Sequence, residues 1–261
     1  MKGLDGKVAL VTGGGKGIGR SIALALSARG VRIVVTGRDE RALGETVGEI
    51  VYGGGKARHL RGDVRDPAHV SAAVDRAVEV FDGLDIVIAN ARQAGRADLG
   101  GDDVDRAEAI LTTNVMGAYY TFDAAAKRMK GAGRLIATSG VLANPGAAGY
   151  AAACASEAAV LGLVRATASE LAPRKITCNA VVSGWVDTPA GELAIRAIAA
   201  SQAKTEEEAR AAAVAPFGRL LAPEELAELV VFLCSSAGDG ITGQAIAMGG
   251  GAAALRVPRE A

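Results

Sequence analysis

The stretch "KVALVTGGGKGIGRSIALALSARG" at 7–30 decides the fold. It opens as a short apolar run of β type (7–13), breaks into glycines, and resumes at 19–30 with apolar residues at helical spacing up to a terminal glycine. Glycines between a strand and a helix let the backbone turn sharply and approach a pyrophosphate, whose charge the helix N-terminus meets. A glycine turn alone also serves any strand–turn–helix junction. "TGGGKGIG" (12–19) stands at the first such junction of an alternating chain, and there it points to dinucleotide binding.

The alternation continues outward from that turn. Further strands are expected at 31–37, 57–64, 84–90, 133–139, 175–184 and 243–251, the 57–64 run being weaker for its charges. Helices are expected around 40–51, after Pro67, at 103–130, 150–172 and 223–236, with an Ala- and Glu-rich helical insertion at 188–215. The pattern predicts a doubly wound parallel α/β sheet of the Rossmann type, about seven strands with helices on both faces and right-handed crossovers. No linker or internal repeat divides 1–261, so one dinucleotide-binding domain is expected, with 187–215 as a lid over the substrate.

Composition narrows the function. Half of the residues are apolar and only 3% aromatic, and Lys+Arg and Asp+Glu balance at 29 each. No net field favours nucleic acid or an anionic membrane. No leader-like N-terminal segment and no uninterrupted apolar stretch of bilayer-spanning length is seen, and the three scattered cysteines show no metal-type spacing. A cytoplasmic chain with reduced thiols and no metal is expected.

Several ordered pieces, "TGGGKGIG", "GDV" (62–64), "NA" (90–91), "TNVMGAYY" (113–120), Tyr150, "NAVVSGWVDTP" (179–189), "PFGRLLAPEELAELVVFL" (216–233) and "ITGQ" (241–244), together resemble the short-chain dehydrogenase/reductase family over almost the whole chain, and its 3-oxoacyl reductase-like branch in particular. The resemblance implies that Gly13, Gly17, Ile18 and Gly19 cradle the cofactor. It further implies that Asp63 and Val64 flank the adenine, Asn90 and Ala91 the nicotinamide ribose, and that Gly184, Val186 and Thr188 complete the cofactor site. Lys16 and Arg38 are two cations placed for a 2′-phosphate, which favours NADPH over NADH. The alternative is that both cations are solvated surface charges, with Asp39 serving a 2′-hydroxyl. A homodimer or homotetramer formed through 103–130, 150–172 and the C-terminal strand is also implied.

For catalysis the resemblance implies a tyrosine that exchanges a proton with the substrate oxygen, a serine that orients it, a lysine that lowers the tyrosine pKa, and an asparagine that supports a proton relay. Tyr150, Ser139 and Asn114 are the candidates. "YAAAC" carries Cys154 where lysine is expected, so a protonated Tyr150 suits reduction rather than oxidation. Counted from "GRLI", the serine falls at Gly140, with Ser139 beside it; counted from Tyr150, the loop is a few residues short. Asn-Ala-Gly reads "NAR", leaving Arg92 either to bind an acidic substrate or to face solvent. Cys154 is a small thiol in the lysine's space or a nucleophile with no histidine in view. Trp185 falls beside the cofactor, as reporter or as lid packing. An NADPH-dependent ketone reductase is the leading expectation. The alternative is a repurposed relative doing a non-redox step such as cyclisation or dehydration, or a non-catalytic binding subunit.

Overall fold

The computed structural model describes residues 2–143, 146–201, 203–214 and 217–251. Loop residues 144–145, Gln202 and Ala215 of the expected lid, and Pro216 at the head of "PFGRLL" lie outside the described residues.

Seven strands, β1 (Val8–Thr12), β2 (Arg32–Gly37), β3 (Ala57–Arg61), β4 (Ile86–Ala89), β5 (Gly133–Gly140), β6 (Ile176–Ser183) and β7 (Ala245–Met248), form one parallel sheet in the order β3-β2-β1-β4-β5-β6-β7. Successive strand residues face opposite sides, so Val8 and Leu10 enter one core and Ala9 and Val11 the other. The first core packs on helices α3 (Pro67–Phe81), α5 (Gly117–Arg128) and α6 (Ala151–Leu171), through residues such as Val74, Phe122 and Val164. The second packs on α1 (Gly17–Ser27), α2 (Glu40–Tyr52) and α9 (Pro223–Cys234), through Ile22, Ile50 and Val230. Helices on both faces explain why the central strands are unbroken aliphatic runs. The charges in "ARHLR" fit β3 because it is an edge strand with half-exposed residues.

Two expected helices are interrupted. The 103–130 run is α4 (Val104–Leu111), a wide π-type turn at Thr112–Met116, and α5. The insertion is α7 (Pro189–Ser201) and α8 (Glu206–Ala213), the second started by a reciprocal cap between Thr205 and Glu208. Helix α6 and the turn after it, Ala151–Arg174, have the length and mean hydropathy (1.3) of a membrane span, although Glu157, Arg165, Glu170 and Arg174 interrupt the apolar run. Here that helix packs on β5, β6 and α4, burying Val160, Val164 and Leu171.

The chain order reverses between β1 and β4, so the crevice beyond their carboxyl ends is where such a sheet takes ligands. The segments after β1, β4, β5 and β6 all open towards it.

Candidate active site

The glycine turn is built for close backbone approach. Gly13 has φ +65°, and a Cβ there would lie 3.0 Å from the Ala91 Cα and from Asn90 Nδ2. Asn90 braces the turn by donating to the Thr12 and Gly13 carbonyls (3.1 and 3.3 Å), while Thr12 Oγ1 accepts from the Asn90 and Ala91 amides. Helix α1 starts after Lys16 with no side-chain cap, which leaves its first N–H groups open to an anion. Thr188 stands over Gly17, where a Cβ would meet its Cγ2 at 3.2 Å. Thus Gly13, Gly17, Asn90, Ala91 and Thr188, far apart in the chain, are brought to one crevice. Val64 and Val186 are buried, and Gly184 packs on Gly249.

The two cations differ. Lys16 Nζ pairs with Asp39 at 2.5 Å, and that contact holds the Asp39 carboxyl below its usual range. Asp39 also caps α2 by accepting from the Ala42 amide at 3.1 Å. Arg38 is exposed beside them. Asp63 accepts from Arg65 at 2.8 and 3.0 Å, which lowers its pKa. A cavity of about 540 Å³ opens there, lined by Asp63, Arg65, Asp66, Asp105, Glu108, Ala109 and Thr112. That cavity adjoins the expected adenine side and not the reacting end.

At the reacting end the structure corrects one expectation. Ser139 is fully buried, and its hydroxyl donates to the Glu157 carboxylate at 2.7 Å, so it is not presented to a substrate. On β5 it shares the face of Leu135 and Ala137, which packs on α6. Arg92 is partly exposed, and its guanidinium pairs with Glu157. Burial pushes the Arg92 pKa down to about 10, whereas the adjacent carboxylate favours the charged form. The other Glu157 oxygen also accepts the Gly140 amide at 2.6 Å. A side chain at 140 would begin 2.9 Å from Arg92 Nη2 and 3.3 Å from Glu157 Oε1, so the guanidinium fills the space that Gly140 leaves. Glu157, which sequence reasoning missed, is only 6% exposed.

Asn114 ties this pair's surroundings together. Its Oδ1 accepts the Gln93 amide (2.7 Å), and its Nδ2 donates to the Gln93 carbonyl (3.0 Å) and Ser156 Oγ (2.9 Å). The Asn114 side chain is therefore engaged with the immediate neighbours of Arg92 and Glu157. Tyr150 precedes α6 and joins an apolar cluster with Ile110, Ala152 and Ala153. Its hydroxyl makes no hydrogen bond among the described residues, and the nearby Arg96 is paired with Asp98. Cys154 is half-buried, whereas burial pushes the Cys178 and Cys234 thiols up to about 12. The α6 side chain at Gly140 is Glu157 and not Cys154. Trp185 packs on Ile195, Ala199 and Ala209 of α7 and α8, a lid-like unit pinned by the Arg210–Glu192 ion pair at 2.5 Å.

The family described as enoyl-(acyl carrier protein) reductase matches residues 13–253. Versicolorin reductase stcU of Emericella nidulans is 36% identical over 254 residues, 95% of this chain and 96% of that protein. The short-chain reductase protein NovJ of Streptomyces niveus is 36% identical over 252 residues, covering 94% and 93%. A variant of the actinorhodin polyketide ketoreductase, solved with NADPH, superposes with a TM-score of 0.92 at 31% identity, over 97% of this chain and all of that one.

The chain belongs to the short-chain dehydrogenase/reductase family. Members of this family are NAD(P)-dependent oxidoreductases acting on carbonyl and alcohol groups, and the seven-stranded sheet and the glycine turn described above are the family's scaffold. The Arg92–Glu157 pair is the feature of this member that its sequence motifs did not announce. Its one sequence-level trace is the arginine in "NAR" together with the glycine at 140.

Proposed function

We propose that this short-chain dehydrogenase/reductase is an NADPH-dependent reductase of ketones. One observation carries this: the glycine turn faces the crevice as bare backbone beside Ala91, with the α1 N-terminus uncapped. Those residues fit a dinucleotide pyrophosphate. The names of its relatives, versicolorin reductase and a polyketide ketoreductase, favour a polycyclic or polyketide-like ketone. Lys16 already neutralises Asp39, which removes the acid that would select a 2′-hydroxyl and leaves Arg38 beside the 2′ position.

In this scheme Gly13, Gly17, Ile18 and Gly19 hold the pyrophosphate, Lys16 and Arg38 the 2′-phosphate, and Asp63 and Val64 the adenine. Asn90, Ala91, Gly184, Val186 and Thr188 hold the nicotinamide half. Bound NADPH supplies hydride. Tyr150 gives the proton to the oxygen. The α7–α8 unit with Trp185 covers the substrate and excludes water. The exposed apolar residues Val104, Leu111 and Tyr119 on α4 and α5 support self-association as a dimer or tetramer. The balanced charge suits a cytoplasmic enzyme of small molecules.

A second reading is favoured by Glu157. Moving the tyrosine slot three residues on restores the short β5–α6 loop, and the slots for tyrosine and lysine then fall on Ala153 and Glu157. Those residues cannot perform the usual proton transfer, so on this reading the site binds the cofactor and does a non-redox step or none.

Titration of cofactor-stripped protein with NADPH and NADH, followed by Trp185 fluorescence, and then NADPH consumption with a panel of cyclic ketones, separates the two. Tight NADPH binding with turnover supports the reductase. Binding with no turnover across the panel supports the second reading.

A further inference from the structure

Two of this chain's departures from its family are complementary in space. The serine expected at 140 is glycine, and the glycine expected at 92 is arginine. The Arg92 head lies 2.9 Å from where a Cβ at 140 would be, so a guanidinium stands where a hydroxyl is expected. Glu157 neutralises it from α6, and it is fixed by Ser139 and the Gly140 amide. Asn114 clamps Gln93 to Ser156, which holds the two backbones that carry the pair.

We propose that Arg92, positioned by Glu157, holds the substrate's carbonyl oxygen in place of the serine hydroxyl, and that the pair makes this a site for uncharged ketones. A guanidinium carries five N–H donors, and the contact to Glu157 leaves others for a second acceptor. With Arg92 and Glu157 both charged, the pair sums to zero. A neutral ketone keeps that balance, whereas a carboxylate would leave one negative charge uncompensated in a mostly buried site. During reduction the carbonyl carbon accepts hydride, and the C–O π pair moves to oxygen. There the Arg92 donors meet the developing charge, and the oxygen takes its proton from Tyr150, which is reprotonated by solvent. Donors fixed in advance at the place where charge develops are a large source of rate enhancement. Arg92 is thus a catalytic residue and Glu157 a positioning residue, a deepening that rests on the reductase reading.

The test uses acetophenone, ¹³C-labelled at its carbonyl, bound to the protein saturated with NADP⁺, where no turnover occurs. Its infrared carbonyl band should lie at lower wavenumber in the wild type than in Arg92→Met. In turnover with NADPH, Arg92→Met should lose about a hundredfold in kcat with little change in KM, the size expected for one oxyanion donor. Arg92→Gly should regain rate when guanidinium chloride is added at millimolar concentration. Acetophenone should be preferred to phenylglyoxylate, which carries a carboxylate in place of the methyl group on the same carbonyl. If Arg92→Met destabilises the fold, Arg92→Met with Glu157→Leu keeps the charge balance, and the same band shift and kcat loss are expected. A wild type that reduces ketones, with Arg92→Met unchanged in kcat and in the infrared band, overturns the proposal and leaves the reductase standing. A wild type that takes up NADPH but neither binds nor reduces any ketone overturns the reductase reading itself.

Discussion

Ser139, fully buried, donates its hydroxyl to the Glu157 carboxylate at 2.7 Å. With the Gly140 amide and the Arg92 guanidinium, that carboxylate has three donors, which is how a helix otherwise facing an aliphatic core tolerates a buried glutamate. Removing one member of such a pair strands the other charge. Glu157→Gln or Arg92→Met should therefore lower unfolding stability by about 3–5 kcal/mol, and Ser139→Ala by about 1.5–3 kcal/mol. The double replacement Arg92→Met with Glu157→Leu should recover most of the loss. Urea unfolding midpoints of the four variants check this, and additive losses in the double variant would count against the pairing.

Cofactor choice should follow the Lys16–Asp39 contact. Asp39→Asn keeps a good helix cap on α2 but releases Lys16, so NADPH should bind more tightly. Arg38→Ala should weaken NADPH by about tenfold or more, the worth of a charge-assisted contact, and leave NADH nearly unchanged. Fluorescence titrations of each variant with both nucleotides give the ratio. Equal losses for NADPH and NADH would place Arg38 away from the 2′ position.

The scaffold was legible because it is written locally. An apolar run, a glycine turn and a helical period sit within 7–30, and the same grammar repeats to β7. The reacting end was not, because its determinants are separated in sequence and meet only when β4, β5 and α6 are assembled. Tyr150 drew the eye to Cys154 four residues on, whereas the side chain that arrives at Gly140 is Glu157. The short loop was the available sign, since a change of loop length shifts which helix residues reach the strand end. Likewise "TTNVM" carries nothing in its apolar spacing to announce a π-type turn, which depends on Asn114 finding Gln93 and Ser156.

Restoring a lysine at 154 should accordingly bring no gain. Cys154 is not the α6 residue at Gly140, so an ammonium there would not stand where the missing one is needed. NADPH oxidation by Cys154→Lys should not exceed that of the wild type at any pH between 6 and 8. A clear acceleration would show that residue 154 does act on Tyr150.

Asn114 should be felt on both sides of the site. It is buried, and its three hydrogen bonds join the segment after β4 to α6. Asn114→Leu leaves the Gln93 amide and carbonyl without a partner, at about 1–3 kcal/mol for each buried group that stays unsatisfied. The kcat for ketone should fall with little change in KM, because the Arg92 backbone loses its anchor. Crystals of the variant with a displaced 90–93 segment would confirm the route, and a variant with wild-type stability and kinetics would remove Asn114 from the account.

The stability of the fold should fall on mild acidification because of His69. Its Nε2 lies 2.7 Å from Thr36 Oγ1, and that hydroxyl is already donated to the Leu60 carbonyl at 2.7 Å. The ring must then donate through Nε2, and it packs so closely on Gly62 that a Cβ there would lie 2.1 Å from Nδ1. Burial is the largest influence and lowers the His69 pKa below 6.5, against the opposing pull of Asp66 and Asp63. The unfolded chain therefore takes up the proton first as pH falls. This contribution is complete above about pH 6.5 and is lost progressively as pH drops from there through the lower folded-state value. Urea midpoints of wild type should decline between pH 7 and 5 more steeply than those of His69→Gln, which has no proton to take up. Parallel slopes would mean that His69 is as easily protonated in the folded chain as in the unfolded one.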